Sequence, residues 1–146
     1  MWKSTRFAAA RSADSFDEDY MKLVVSASLM FAAVIHLLPL SGVLGVRRLA
    51  SLYGIEVGEP NLSVLMRHRA VLFGLLGLFV FHAAFNAELQ PLAFVGAFVS
   101  VCAFLCLAWL GGPVNAYLRR VVWIDLIAVV VLACGAAVRI WAGAGE

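Results

Sequence analysis

Charge is what this sequence has least of. Asp, Glu, Lys and Arg together make 14% of its 146 residues, where an average soluble domain carries about 25%. The formal net charge of +2 is too small to draw the chain onto nucleic acid. Cysteine is scarce as well. Cys102, Cys106 and Cys134 are the only three, and all lie inside apolar stretches, which argues against a disulfide framework. Cys102 and Cys106 are four apart and share a helix face. With no His or carboxylate near them in the sequence, they read as small packing residues rather than metal ligands. No nucleophile–base pair, metal-ligand spacing or strand followed by a Gly-rich phosphate loop can be found. No internal repeat with matching motifs is visible either.

What fills the chain instead is apolar sequence. Hydrophobic residues make up 64% of it, and the mean hydropathy is +0.96. Four stretches carry most of this, from about Lys22 to Leu44, Asn61 to Phe85, Leu92 to Leu110 and Val121 to Trp141. Each approaches the roughly 20 residues that carry a helix across a bilayer. Each is apolar all the way round, the mark of a membrane span rather than of a surface helix. The expected fold class is therefore all-α, an integral membrane four-helix bundle. Residues 22–146 form the transmembrane domain and residues 1–21 a mobile N-terminal tail.

The tail carries Lys3, Arg6 and Arg11, then the acidic run Asp14, Asp17, Glu18 and Asp19. No apolar core or small-residue cleavage site follows its charges, so it does not read as a signal peptide. Met21-Lys22, followed at once by apolar sequence, reads as a translation start, which an intact mass including residues 1–20 would reject. Within the first span Pro39 disfavours helix at Leu38 and removes a backbone donor, so the helix kinks or stops there. Arg47-Arg48-Leu49-Ala50-Ser51-Leu52-Tyr53-Gly54 reads as a short amphipathic helix lying in the interface and ended by Gly54. Pro60 suits the first position of the second spanning helix. Gly111-Gly112-Pro113 ends the third span. Trp109, Trp123 and Trp141 fall near span boundaries, where interface anchors sit.

Basic residues set the expected orientation. The linkers 45–60 and 111–120 and the helix start beside them hold Arg47, Arg48, Arg67, Arg69, Arg119 and Arg120, whereas the linker containing Glu88 has no Lys or Arg. The positive-inside rule places the arginine-bearing linkers in the cytoplasm of a bacterium and both termini on the other side of its inner membrane.

Ionisable groups inside spans are functional candidates by default, because burying them is costly. On the second helix Arg67, Ala70, Gly74, Gly77 and Ala84 fall near one face by 100° steps. That face is small enough for close helix approach, so Arg67 is expected to point into the bundle. Arg69, on the bulkier face with Phe73, Leu76 and Val80, is expected to reach the lipid head groups. Asp125 lies five residues beyond Arg120, roughly 7–8 Å along a helix, at a depth matching Arg67–Arg69. Arg67 or Arg69 is thus the expected ion-pair partner of Asp125. His36 belongs near the same level if Pro39 ends the first helix. His36, Arg67, His68, Arg69 and Asp125 form one candidate polar cluster. It reads either as a lock between helices or as a pocket for an anionic head group, a quinone or another lipid-soluble ligand. A haem held by His36 and His82 would need the two at one depth, and the spans place them apart.

Leu52-Tyr53-Gly54-Ile55, then Asn61, then an arginine-bearing helix start with Gly74 and Gly77, resembles the small four-helix membrane proteins of the DoxX-like group, over roughly Lys22 to Trp141. The resemblance implies a four-helix membrane fold and, for some members, a link to quinone-dependent respiratory or sulfur oxidation. It carries no catalytic motif onto residues of this chain. The block Leu65-Met66-Arg67-His68-Arg69-Ala70-Val71-Leu72-Phe73-Gly74 is similar to short bacterial membrane proteins often labelled phosphopantetheine adenylyltransferase. That soluble family uses an His-x-Gly-His signature on an α/β fold. Here His36 is followed by Leu37-Leu38-Pro39, and His68 by Arg69-Ala70-Val71.

The leading expectation is a non-catalytic inner-membrane accessory or lipid- and small-ligand-binding protein, with no cofactor required and quinone as the one candidate. A membrane redox or lipid-modifying component is the second. A subunit of an oligomeric transporter is the third, for which discontinuous helices in paired halves would be needed and only Pro39 hints at one. The expected partners are membrane lipids and either further copies of the chain or the subunits of a membrane complex.

Overall fold

A computed structural model describes the backbone of residues 2–144 and the side chains of residues 18–142. Five α-helices follow one another: α1 (Trp2–Leu37), α2 (Val46–Tyr53), α3 (Pro60–Ala83), α4 (Gln90–Leu110) and α5 (Ala116–Ala144). A 3₁₀ segment, Leu38–Leu44, joins α1 to α2. Four regions are long and apolar enough to cross a membrane: Glu18–Leu44, Pro60–Ala83, Gln90–Leu110 and Ala116–Ala142. The protein is an all-α, multi-pass membrane four-helix bundle. Of the tail expected to be mobile, the side chains of residues 1–17 lie outside the described residues.

Local chemistry explains the breaks. Pro39 sits in the first turn of the 3₁₀ segment, where its missing N–H and its ring rule out a continuing α-helix. The amphipathic α2 buries Leu49 and Tyr53 and turns Arg47 and Arg48 outward. It stops at Gly54, whose φ of 62° is left-handed and cheap only for glycine. The α3 N-terminus is capped by Glu59, whose carboxylate accepts from the N–H groups of Asn61 (2.9 Å) and Leu62 (2.7 Å), with Pro60 in the first turn. Those bonds hold the exposed Glu59 carboxyl below its ordinary range.

In the bundle α1 lies against α3 and α5, while α4 packs on α5 and α3 and touches α1 least. Small residues permit the close crossings. On α3 the buried residues are Ala70, Gly74, Gly77, Val80 and Ala83. A Cβ on Gly77 would come within 2.8 Å of the Leu37 side chain. On α5 a Cβ at Gly135 would run into Ser28 of α1. The main core, built on Leu29, Ala33, Val80, Phe94 and Leu132, fills the half of the bundle near the α3–α4 turn. A second, smaller core of Leu49, Tyr53 and Val57 sits under α2 at the other end. Large apolar side chains elsewhere face outward, as lipid requires; Trp109, Trp123 and Trp141 are all exposed. Cys102, Cys106 and Cys134 are exposed as well. The crossings are closed by alanine and glycine, which leaves the cysteines on the outer helix faces.

Candidate functional site

Between the two cores lies a cavity of about 240 Å³, and every element contributes to its wall. His36 comes from α1, Pro39 from the 3₁₀ segment, Tyr53 from α2, Arg69 from α3, Ser100 and Phe104 from α4, and Asp125 from α5. The remaining wall is aliphatic and aromatic, Phe73 and Val101 among it.

His36 is buried, with 2% of its surface exposed. Its Nδ1 lies 2.8 Å from the carbonyl of Ala32. A carbonyl only accepts, so Nδ1 carries the proton, and in the neutral ring Nε2 is then an acceptor. That atom lies 3.0 Å from the hydroxyl of Ser100, which donates to it. Both ring nitrogens are therefore occupied, and the ring packs beside Phe73. His36 acts as a fastener between α1 and α4 that also forms wall.

Arg69 reaches the cavity by a route that aromatic rings define. Its guanidinium carbon lies 5.1 Å from the ring centre of Phe73, 5.5 Å from that of Tyr53 and 6.0 Å from that of Phe104. Such contacts attract a cation to ring faces and leave its N–H groups free for a further partner. Among the described residues Arg69 makes no hydrogen bond. Tyr53 is 8% exposed; burial pushes its phenol above the ordinary 10.0, with Arg69 opposing, so it stays a neutral hydroxyl.

Asp125 is 7% exposed and lines the same cavity. It makes no hydrogen bond to any described residue. The one ion pair among the described residues is Lys22–Glu18, 3.6 Å apart on the surface of α1. The expected bridge from Arg67 or Arg69 to Asp125 is therefore not formed. Three aromatic rings surround the Arg69 guanidinium, which lies beyond ion-pair distance of the carboxylate.

The bundle brings His36, Arg69 and Asp125 of the expected cluster to one cavity, and Arg67 and His68 do not line it. His68 is exposed. Arg67 and Arg69 exchange their expected roles. Arg67 is exposed, and its Nε donates to the carbonyl of Val43 at 3.1 Å. At that level α3 faces the end of the 3₁₀ segment, whose last carbonyls lack helical partners, and Arg67 serves one of them. The face that carries Arg69 meets the cavity rather than head groups. His82 is exposed in the last turn of α3, about 13 Å along the helix from the Phe73 that touches His36.

Ser100, Tyr53 and Phe104 were not singled out by their chemistry. Ser100 had a signal: it is a hydroxyl inside the apolar run of α4, within reach of His36. Tyr53 lies in the amphipathic helix, and Phe104 has no feature distinguishing it from other membrane phenylalanines. The floor under α2 is fixed by Asn115, whose Nδ2 donates to the Tyr53 carbonyl at 2.8 Å and the Gly54 carbonyl at 3.3 Å. Its Oδ1 accepts from the N–H of Leu118 at 2.8 Å, capping α5.

Comparison of the chain with protein-family models, curated proteins and solved structures finds no match.

Proposed function

We propose that the protein is a non-catalytic component of a bacterial inner membrane that holds a small amphipathic ligand in this cavity, with its arginine-bearing linkers in the cytoplasm. One observation supports the reading above others: Arg69 and Asp125 open onto one cavity, and the protein satisfies the hydrogen-bonding capacity of neither. Arg69 is half-buried and Asp125 buried, and an ionisable group without a partner inside a membrane span is a candidate binding group. The aliphatic and aromatic wall suits an apolar body, with the two charged groups orienting a polar head.

The test is chemical. Protein purified into nanodiscs is extracted and its small molecules are identified by mass spectrometry, beside a visible spectrum. A discrete amphipath recovered with the wild type and lost in Arg69→Gln and Asp125→Asn supports the reading. Recovery of bulk lipid alone, in the same amounts from all three, counts against it. A quinone is the second candidate, favoured by the Phe73 and Phe104 rings in the wall and by the DoxX-like resemblance. The same extraction identifies it.

A further inference from the structure

Arg69 and Asp125 share one cavity, yet they are neither paired with each other nor hydrogen-bonded to any described residue. His36 offers a ligand little, because Ala32 and Ser100 occupy its nitrogens. A ligand head therefore meets one cationic donor and one anionic acceptor that lie beyond ion-pair distance of each other.

Charge balance narrows what fits. At neutral pH the two charges sum to zero, and an uncompensated charge in an apolar wall is costly. An anionic head would satisfy Arg69 and leave Asp125 repelling it. A cationic head would do the reverse. A quinone or an ester presents acceptors to Arg69 but no donor to Asp125. A head that carries an anion and an N–H cation a few atoms apart satisfies both groups and keeps the cavity neutral.

Size and access narrow it again. At about 240 Å³ the cavity suits a head group rather than whole acyl chains, since sites for drug-sized ligands run about 300–1,000 Å³. Leu38 and Ile124 line the cavity and are also 57% and 39% exposed on the outer surface. The wall between the 3₁₀ segment and α5 is thus where chains would pass into the bilayer.

Building on the ligand-binding reading above, we propose that the cavity holds the zwitterionic head group of a membrane lipid with a primary ammonium, of the phosphoethanolamine type. Its phosphate lies on Arg69 and its ammonium on Asp125. Charge-assisted hydrogen bonds at both ends give the selectivity.

Lipid retention measured by native mass spectrometry tests this, after reconstitution with equal amounts of phosphatidylethanolamine, phosphatidylcholine and phosphatidylglycerol. The wild type is expected to retain phosphatidylethanolamine over each of the others by at least about tenfold, the worth of one charged hydrogen bond. Phosphatidylcholine keeps the charges but has no N–H for Asp125. Asp125→Asn leaves Arg69 unbalanced and is expected to reverse the order in favour of phosphatidylglycerol. Arg69→Gln loses the phosphate contact and with it retention of all three, and Arg69→Met replaces it in the test if it does not fold. Wild-type preference for phosphatidylglycerol, equal retention of phosphatidylcholine, or an unchanged order in Asp125→Asn would overturn the proposal. So would a thermal shift from soluble O-phosphoethanolamine as large as that from the lipid, which would place the ligand's source in water. Retention of a different amphipath overturns the head-group assignment and leaves the ligand-binding reading standing. Retention of nothing overturns both.

Discussion

His36 and Ser100 meet across the bundle, imidazole Nε2 to hydroxyl at 3.0 Å, and join α4 to α1, the spanning helix on which it packs least. The hydroxyl donates because the other ring nitrogen is already committed to the Ala32 carbonyl. This bond shapes the cavity wall more than it stabilises the bundle, since hydrogen bonds between membrane helices average only about 0.6 kcal/mol.

Ser100→Ala is accordingly expected to cost between about 0.6 and 1.7 kcal/mol, measured by reversible unfolding in mixed micelles. The bundle should remain folded while ligand retention falls. A loss of several kcal/mol would show that the pair carries the packing of α4.

Asp125→Asn separates a lock from a pocket. Breaking a buried ion pair costs about 3–5 kcal/mol. With no such pair at Asp125, the substitution is expected to change unfolding stability by less than about 1 kcal/mol without added ligand. A fall of about 3 kcal/mol or more would reveal a structural partner for the carboxylate.

Gly135→Ala should push α1 and α5 apart, because the new methyl would meet the Ser28 side chain. Overpacking of this kind costs about 1–3 kcal/mol. Ser28→Gly on the same background is expected to recover part of that loss, and a double-mutant cycle reads the coupling. Additive effects would place the conflict elsewhere.

Asn115→Ala removes the α5 cap and the latch on α2 together. Loss of the cap alone is worth about 0.5–2 kcal/mol. The expected signature is faster hydrogen exchange across Val46–Tyr53, with α3 and α4 unchanged. Unaltered protection in α2 would show that Leu49 and Tyr53 hold that helix without the latch.

The Glu59 cap carries a pH dependence. Its folded carboxyl titrates below the ordinary 4.5 because the Asn61 and Leu62 N–H groups favour the charged form. The contribution is therefore complete above that ordinary value and is lost as pH falls through the lower, folded one. Protection of the first turn of α3 is expected to hold steady from neutral pH down to the ordinary 4.5 and to fall as the pH drops further, through the lower folded value. Glu59→Gln should flatten that profile, and an unchanged profile would reject the cap as its source.

Much of this architecture was legible because single residues dictate it. Pro39 kinks or stops an α-helix, and here the α-helix ends before it. Gly54 supplies a left-handed stop. Ala70, Gly74 and Gly77 mark a face that another helix can approach. Depth was legible too, since 1.5 Å per residue places His36, Arg69 and Asp125 on one level. The direction of Arg67 was not. A helical wheel puts it on the small face, but which groups that face meets depends on the 3₁₀ segment and its Val43 carbonyl, which Arg67 serves. The inward turn of Arg69 depends on three rings from α2, α3 and α4, whose convergence is a tertiary fact. The Ser100 bond is likewise visible only once α1 and α4 are side by side.

The 3₁₀ segment has a further effect on the shape of the bundle. A 3₁₀ helix rises about 2.0 Å per residue with three residues per turn, against 1.5 Å and 3.6 for an α-helix. It is longer and thinner for the same sequence. Where α3, α4 and α5 keep full calibre, residues Leu38–Leu44 do not, and the missing girth lies beside Pro39 in the cavity wall. The hollow thus borders the one stretch of the spanning helices that changes gauge, through Leu38 and Pro39. Neither of those residues would grip a ligand's polar head, so the gauge there can be altered without touching Arg69 or Asp125.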